Sequence, residues 1–411
     1  MHRSLVAVIT VFIGCAFAPL APIAPVAPLA PDTMRVDYFH SGGPAGETVR
    51  LDRVSNDGPW PGSRTQLIDD TNLGKFFFEV REGGSDRVLY SRGFASIFGE
   101  WETTPEVRTA NRTFHESLRF PWPAGAVRVV IRKRDDLNVF RDLWSTDIDP
   151  RARSVTGRAS KRLGTVSPLF ENGPPSAKVD VLLLSERYSA AEQLRFRADA
   201  TRLVNALFAL EPFRTRRSDF NVRILAVPGR SAAVEFNIFG IERYALTYDN
   251  PSLRNLAASA PYDVLEILVN EEKYGGGGIF NQQSTVAAAN GSAEYVFIHE
   301  FAHNLAGLAD EYVGSVTYET GAPSKTEPWE PNITALLDPS MLKWRDLVEP
   351  GTPVPTPLTF AGKVGAFEGA GYEAHGLYRA EAECIMGSRT VTAFCRVCQR
   401  AISRIIDLHT K

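Results

Sequence analysis

Apolar and polar positions divide the chain into two parts with different periodicities. Between residues 33 and 165, short β-branched or aromatic runs alternate with turn residues, and no long stretch has the helical period. The clearest runs cover residues 75–81, 87–90 and 127–132, and Glu82-Gly83-Gly84 supplies a turn between the first two. The pattern predicts a β-rich, β-sandwich-like N-terminal domain over residues 33–165, with an accessory or substrate-presenting role.

From residue 178 onward, apolar runs of strand length alternate with longer amphipathic stretches, which predicts alternating strands and helices. Ser189 and Glu192 form a capping-box pattern, so a helix should begin there and end near residue 208. The predicted strands cover residues 179–184, 222–227, 262–269 and 284–289. We therefore expect an α/β (α+β) domain over residues 178–411, joined to the first domain by a solvated linker over residues 150–178.

The first residues of the chain form two segments that are not predicted to pack into a core. Residues 1–18 combine a weakly positive start with a short apolar run, which is typical of a signal peptide. Ala16-Phe17-Ala18 resembles a signal-peptidase site, whereas Phe12-Ile13-Gly14-Cys15 resembles a lipoprotein box, so Cys15 is a candidate membrane tether. Residues 19–32 are rich in proline and predict a semi-rigid stalk. We expect export, as a periplasmic, cell-surface lipoprotein or secreted protein.

Length and charge narrow the classes of function. A chain of 411 residues exceeds the roughly 250–300 residues at which single cores stop growing, which fits two domains. Its formal net charge of −3 includes no excess of basic residues, so no nucleic-acid partner is expected. The sequence leaves the oligomeric state open.

The strongest chemical signal lies in the apolar stretch 294–312. It contains His299-Glu300-Phe301-Ala302-His303, an H-E-x-x-H pattern. Residues four apart share one face of a helix, so the two imidazoles should converge on one point, as two ligands of a tetrahedral Zn²⁺ site do. Glu300 would stand beside the metal as the catalytic base, which takes a proton from a bound water and later gives it to a leaving amine.

A carboxylate that follows a glycine turn is the expected third metal ligand. Gly307 permits a backbone with positive φ, and Asp310-Glu311 comes shortly after it. We predict Asp310 as the ligand, with Glu311 as the close alternative. The arrangement resembles that of the metzincins, with one extra residue before the glycine and before the ligand. A second metzincin-like feature is Cys384-Ile385-Met386-Gly387, a candidate Met-turn in which Met386 would form an apolar floor below the ligands.

The cysteines permit two interpretations. Apart from Cys15, they are Cys384, Cys395 and Cys398. The spacing of the last two matches half of a zinc knuckle, but the chain has no second such pair. We therefore favour a disulfide between Cys384 and one of the others, which would brace the Met-turn, and the pairing stays open.

Three further patterns bear on the site. The glycine run 275–278 lacks the Gly-Lys-Ser/Thr ending of a phosphate loop. It is either a flexible loop or part of an edge near residues 279–285 along which a substrate lies. Asn332-Ile333-Thr334 matches the N-glycosylation acceptor. Candidate donors to the oxyanion of a peptidase reaction are Tyr312, Tyr372, Tyr378 and His375.

Several of these segments together resemble the secreted IgA-peptidase family of zinc metallopeptidases. The resemblance is carried by residues 35–40 and 58–62 of the first domain and by residues 179–213, 274–280, 299–312, 327–332, 369–378 and 384–398 of the second. It implies a zinc-dependent endopeptidase for protein or peptide substrates, with His299, His303 and Asp310 as ligands and Glu300 as base. Ala302 stands where the family commonly has glycine, and we expect no loss of activity because alanine is small and favours helix.

A different class of function is also open to this sequence. An exported or lipid-anchored surface protein that binds a partner, and whose metal site is structural or vestigial, would also suit the β-rich first domain and the proline stalk. Glu300 argues against it, because a purely structural zinc site does not require a general base.

Overall fold

The computed structural model describes residues 31–156, 162–314 and 326–410. The predicted signal peptide, the stalk and Cys15 lie outside these residues, apart from the last two positions of the stalk. The N-terminal domain is β-rich, as predicted. Its elements are β1 (Asp32–Gly42), β2 (Thr48–Pro59), β3 (Phe76–Glu82), β4 (Val88–Phe94), α1 (Ile97–Trp101), β5 (Arg112–Pro121), β6 (Val127–Arg134), β7 (Phe140–Ile148) and β8 (Val155–Thr156).

The N-terminal strands form two four-stranded sheets, ordered β5-β1-β2-β8 and β4-β3-β6-β7. Alternate residues of β1 and β3 enter one shared apolar core, as the period of two along a strand requires. Aromatic pairs join the two sheets, with ring centroids 6.3 Å apart for both Phe78–Phe120 and Tyr38–Trp144. The two sheets therefore face each other across one core.

The C-terminal domain mixes strands and helices. Its elements are β9 (Thr165–Phe170), β10 (Val179–Glu186), α2 (Gln193–Leu207), β11 (Phe220–Ala226), β12 (Val234–Phe236), β13 (Ala245–Thr247), α3 (Asn250–Ala257), β14 (Val264–Val269), β15 (Gly276–Ile279), β16 (Gln283–Ala287), α4 (Ala293–Ala306), β17 (Ile333–Thr334), β18 (Phe367–Ala370), β19 (Glu373–Arg379) and α5 (Arg396–Thr410). The four strands predicted from the sequence are present, with ends shifted by a few residues. The predicted capping box between Ser189 and Glu192 is also present.

A six-stranded sheet, ordered β15-β16-β14-β10-β11-β9, forms the centre of this domain. The four inner strands are parallel, and the two edge strands are antiparallel to their neighbours. Every residue of β10 and β14 is buried, because helices cover both faces of the sheet. Residues of α2, α4 and α5 belong to the core on one face, and residues of α3 to the core on the other.

Strand β9 corrects the prediction of a solvated linker over residues 150–178. It pairs antiparallel with β11 and so belongs to the central sheet. The residues of β9 are exposed or half-buried, as expected of an edge strand. The segment therefore lacks the continuous apolar run by which an inner strand can be recognised in a sequence.

None of the helices in the described segments has the length and apolar content needed to span a bilayer.

Partly buried polar contacts join the two domains. Arg35 of β1 donates to Asp57 at 2.8 Å and to the Asn255 side chain of α3 at 2.9 Å. Arg119 of β5 donates to the Tyr262 carbonyl at 3.0 Å. The first sheet of the N-terminal domain therefore packs its second face on the C-terminal domain, and this contact fixes how the domains meet around the cleft described below.

Candidate active site

The H-E-x-x-H segment lies in the second half of α4, which packs directly on the edge strand β15. A Cβ atom on Gly278 would lie 2.5 Å from the Glu300 carbonyl oxygen and 2.9 Å from the Cβ of His303. A Cβ atom on Gly276 would lie 2.5 Å from Val296. Glycine in β15 is what allows this close approach. The interpretation of the glycine run as a flexible loop is wrong, since residues 276–278 form an ordered strand antiparallel to β16.

Three predicted metal ligands converge, and we refer to His299, His303 and Asp310 as the ligand triad. Nε2 of His299 lies 2.8 Å from Oδ1 of Asp310 and 3.0 Å from Nε2 of His303. Nε2 of His303 lies 3.5 Å from the same carboxylate oxygen. A tetrahedral zinc ion with bonds of about 2.0–2.1 Å would separate such atoms by about 3.3–3.4 Å. The triad therefore fits a small divalent cation after shifts of a few tenths of an ångström.

A tight turn after α4 brings Asp310 back to the histidines. The helix ends at Ala306 and is capped by Gly307, whose φ of +57° suits glycine and whose N–H donates to the His303 carbonyl at 3.0 Å. The Asn332 side chain then holds the loop, accepting from the Ala309 N–H at 2.8 Å and donating to the Ala309 carbonyl at 2.9 Å. Asn332 is fully buried, unlike the exposed asparagine of a glycosylation acceptor.

Hydrogen bonds outside the triad orient its ligands. Nδ1 of His303 donates to the Leu308 carbonyl at 2.5 Å, which leaves the Nε2 lone pair directed at the other ligands. The Tyr372 hydroxyl donates to Oδ2 of Asp310, so that Oδ1 is the oxygen that faces the histidines. Partners of this kind fix the tautomer and the rotamer of metal ligands before the metal binds.

The close contacts within the site shift its pKa values. Burial acts to lower the pKa of His303, but the adjacent Asp310 carboxylate outweighs burial and raises it to about 9. Burial likewise acts to raise the pKa of Asp310, yet the two imidazoles hold it well below its usual range. Burial raises the pKa of the Glu300 carboxyl, and the imidazoles moderate this effect. The triad therefore attracts positive charge, which a proton or a metal cation can supply.

The triad and Glu300 line a cleft of about 980 Å³ that both domains enclose. Sequence reasoning missed the contribution of the first domain, in which the Glu100 carboxylate accepts from the Tyr244 hydroxyl at 2.7 Å. Burial raises the pKa of Glu100 to about 7. Nothing in the local sequence of α1 distinguishes Glu100 from a surface residue, and its partner lies 144 positions away. The lining residues of the N-terminal domain are Lys75, Ala95, Gly99, Glu100, Glu102, Thr103, Thr104, Val107 and Arg108.

The structure brings two of the four candidate oxyanion donors to the cleft. Tyr312 and Tyr372 line it, and the Tyr312 hydroxyl accepts from Arg243 at 3.2 Å. Tyr378 is buried beside Glu368, and the His375 side chain is 82% exposed; neither belongs to the lining.

The predicted Met-turn lies against the loop that carries the third ligand. Met386 is fully buried, and its carbonyl accepts from the Glu311 N–H at 2.9 Å. Gly387, the next residue, lines the cleft. The role of Met386 as a floor for the metal stays a prediction.

The predicted disulfide is wrong. Cys384, Cys395 and Cys398 are all free and buried, and the sulfurs of Cys384 and Cys398 lie 3.7 Å apart. The thiols do not pair with one another; they surround a common volume with Glu311, which was the alternative candidate for the third ligand. Asp310 and Glu311 therefore face two different groups of side chains.

An H-E-x-x-H helix and a returning carboxylate, placed in a cleft beside a mixed sheet, define a candidate metal-binding hydrolase. A family model described as IgA Peptidase M64 matches residues 167–361 and 358–406, and one described as Peptidase M64 N-terminus matches residues 28–145. The chain therefore belongs to the IgA peptidase M64 family and is a peptidase, which acts on protein or peptide substrates. The resemblance inferred from the sequence is confirmed. A comparison with curated proteins gives no match.

Proposed function

We propose that this peptidase is a zinc-dependent endopeptidase that uses Glu300 as its general base. The observation that supports the proposal most directly is the ligand triad, whose donor atoms lie 2.8, 3.0 and 3.5 Å from one another inside the cleft. Two imidazole nitrogens and one carboxylate oxygen form a donor set that suits zinc. Three protein ligands also leave a fourth position for water, as catalytic zinc sites do.

The side chains around the triad have separate roles in peptide hydrolysis. When bound, zinc would act as a Lewis acid and lower the pKa of a coordinated water to about 7. Glu300 follows His299 in α4 and lines the same cleft, so its carboxylate can accept the proton of that water and deliver it to the leaving amine. Tyr312, held by Arg243, can donate a hydrogen bond to the carbonyl oxygen of the scissile bond.

Strand β15 offers a backbone edge for an extended peptide. It is the terminal strand of the central sheet, and Gly276 and Gly278 line the cleft. The outer edge is occupied at Gly276, whose N–H donates to the Arg243 carbonyl at 3.0 Å and which forms a bridge with Tyr244. It is also occupied at Phe280, whose carbonyl accepts from the Ala95 N–H at 3.0 Å. Alternation along the strand directs the backbone groups of Gly278 to the same outer edge. A substrate strand that pairs there would run past the triad, which is the β-augmentation mode of peptide recognition.

We also propose export, which rests on the apolar run within residues 1–18. A cleaved signal and a lipid tether at Cys15 are alternatives within this proposal. The competing function, a surface binding protein with a vestigial metal site, is less well supported, because Glu300 lines the cleft beside an intact triad.

The Glu300→Gln variant tests the role of the base. The substitution preserves size but removes the proton acceptor, so cleavage of a denatured-protein mixture should fall by about 10²–10⁴-fold while zinc in the triad is retained. Glu294→Gln, at an exposed position of the same helix, is the matched control and should keep full activity. Zinc content by plasma mass spectrometry is measured beside peptide products. A wild-type protein that holds zinc and cleaves nothing would favour the binding protein instead.

A further inference from the structure

Four buried side chains with metal-ligating atoms lie close together outside the ligand triad. They are Cys384, Cys395, Cys398 and Glu311, and we call them the thiol cluster. One ligand atom from each lies within 4.8 Å of all the others. Each of the four residues is at most 5% exposed. The cluster is therefore closed to solvent, unlike the triad, which opens into the cleft.

Three of the distances within the thiol cluster lie within about 0.5 Å of those of a tetrahedral metal site. Sγ of Cys384 and Sγ of Cys398 are 3.7 Å apart. A tetrahedral zinc ion with Zn–S bonds of about 2.3 Å separates two sulfurs by about 3.8 Å. The Glu311 Oε1 atom lies 3.2 Å from Sγ of Cys398 and 4.0 Å from Sγ of Cys395, against an expected separation of about 3.5 Å.

Backbone N–H groups and the start of a helix point at the sulfurs of the cluster. Cys395 directly precedes α5 and Cys398 lies in its first turn, where the helix dipole stabilises negative charge. The Cys395 N–H donates to Sγ of Cys384 at 3.3 Å, and the Cys398 N–H donates to Sγ of Cys395 at 3.4 Å. Hydrogen bonds of this kind stabilise a thiolate once a metal ion has replaced its proton.

Glu311 contributes a buried carboxylate oxygen that no other group of the described residues engages. Its side chain is buried, and Oε1 accepts from the Asn332 amide at 2.8 Å. Among the described residues, Oε2 has no hydrogen-bond partner. A buried carboxylate with an unpaired oxygen is costly unless a cation or a proton balances it.

We propose that the thiol cluster binds a second zinc ion, separate from the one in the ligand triad. Three sulfurs and one carboxylate oxygen complete a tetrahedron, so no position is left for water, and the site is structural. Soft thiolate ligands select zinc over magnesium or calcium. Three thiolates and one carboxylate carry four negative charges, and a Zn²⁺ ion reduces this net charge to −2. The positive end of the α5 dipole stabilises the remaining negative charge.

A disulfide accounts less well for the same residues. Any pairing of two cysteines would leave the third thiol and the Glu311 carboxylate buried together, whereas a metal ion engages all four side chains. The Cys395-x-x-Cys398 spacing is also typical of zinc ligands. A zinc knuckle needs a second pair of ligands, and the sequence has no second Cys-x-x-Cys motif. Cys384 and Glu311, which the fold brings to the start of α5, would take the place of that pair.

The proposed ion connects three segments around the active site. Glu311 is adjacent to Asp310 of the triad, Cys384 begins the turn that contains Met386, and the other two cysteines belong to the start of α5. Zinc in the thiol cluster would therefore hold the loop of the third ligand against this turn.

Metal analysis and zinc X-ray absorption test the proposal on protein purified without reductant. Wild type should contain two zinc ions per chain, and the His299→Ala/His303→Ala double variant should contain one. The remaining ion should show about three sulfur neighbours at about 2.3 Å. Wild type with one ion and no sulfur neighbours would overturn the proposal. The absorption spectrum of the wild-type protein tests for sulfur-bound zinc even if the variants do not fold. Sulfur-bound zinc that remains in the double variant distinguishes the thiol cluster from the proposed catalytic site.

A matched pair of variants tests the carboxylate ligand. Glu311→Gln should weaken the retention of the sulfur-bound zinc during dialysis against a chelator by at least about 10-fold. Glu266→Gln is the control, since Glu266 is equally buried, also has an unpartnered oxygen, and bonds to Ser284 and Asn304 rather than to a residue of the thiol cluster. Equal retention in both variants would exclude Glu311 as a ligand. Mass spectrometry of the denatured wild-type protein gives the state of the cysteines. A mass lower by two hydrogen atoms than that of the chain with three free thiols would show a disulfide and overturn the proposal.

Discussion

At the scale of single residues, the structure separates two carboxylates that the sequence left as alternatives. Asp310 belongs to the ligand triad and Glu311 to the thiol cluster. Successive side chains of an extended segment point to opposite sides, so adjacent residues can face two different sites. Sequence alone did not resolve this, because the direction in which the chain leaves Gly307 depends on the distant Asn332, which holds the loop.

Asp310→Asn should abolish most zinc binding at the triad, because the substitution keeps the shape of the ligand and removes its charge. Tyr372→Phe removes only the hydroxyl that donates to Asp310 and should weaken zinc binding by about 10–100-fold. Competition with a chromogenic chelator measures both affinities, and kcat/KM should fall in the same order. Unchanged zinc affinity in Asp310→Asn would remove Asp310 from the ligand set.

His40 should make the stability of the N-terminal domain depend on pH. The ring stacks on Phe98 and lies 3.0 Å from Glu116 and 2.8 Å from Glu47. Burial acts to lower the pKa of His40, but the two carboxylates raise it from 6.5 to about 9. Because the folded pKa is the higher one, the stabilisation is complete below about pH 6.5 and is lost as the pH rises through about 9.

The rise in the pKa of His40 corresponds to a difference of roughly 3 kcal/mol in the free energy of unfolding between the low-pH and the high-pH limit. Urea unfolding between about pH 6 and pH 10, where the carboxylates remain ionised, measures the effect. The wild-type free energy of unfolding should fall across that range, and His40→Gln should give a flatter profile. Parallel profiles would contradict the assignment.

At the scale of elements, the features with local signals were predictable. The capping box starts the segment that continues into α2, and the glycine after the H-E-x-x-H helix has the positive φ expected of it. The edge strands β9 and β15 were not predicted as strands. Strand β9 has a proline and no fully buried residue, and β15 consists mostly of glycine, so neither has the alternating apolar pattern of a strand. Both are defined by pairing with a neighbouring strand of the sheet.

Gly278→Ala should damage both stability and activity, because the new methyl group would collide with the backbone of α4 at Glu300. Overpacking of this kind costs about 1–3 kcal/mol, and a shift of the helix would also move the histidines. Gly291→Ala is the control, since a Cβ there meets nothing within 4 Å. Thermal unfolding and kcat/KM are measured for both variants. If Gly278→Ala has the same unfolding temperature and kcat/KM as the wild type, β15 does not set the position of α4.

At the scale of the whole molecule, the N-terminal domain forms part of the active-site cleft. Its residues line the space above the triad from α1 and the following turn, and its first sheet packs on α3 through buried polar groups. The sequence suggested an accessory or substrate-presenting role, and the shared cleft supports the second of these. Contacts between residues more than 100 positions apart, such as Tyr244 with Glu100, have no local signal from which they could be predicted.

Arg35→Gln should weaken the contact between the domains. Arg35 is 1% exposed and forms ion pairs with Asp37 and Asp57, so its loss leaves two carboxylates buried with less compensation. Breaking a buried pair in this way costs about 3–5 kcal/mol. Arg50→Gln, at an exposed position in β2, should change stability by less than about 0.5 kcal/mol. Chemical unfolding compares the two, and equal stabilities would contradict the role of Arg35 as the counter-charge of these carboxylates.

The placement of the thiol cluster has a consequence for how the protein matures. Glu311 precedes its partners Cys395 and Cys398 by 84 and 87 residues. During synthesis or translocation, the complete H-E-x-x-H helix and Asp310 therefore emerge well before the sulfurs that would hold the adjacent loop in place. If the second zinc is required for that loop, the nascent chain has every catalytic residue and no activity until α5 arrives. Such a delay would protect the cell that synthesises the protein from its own peptidase.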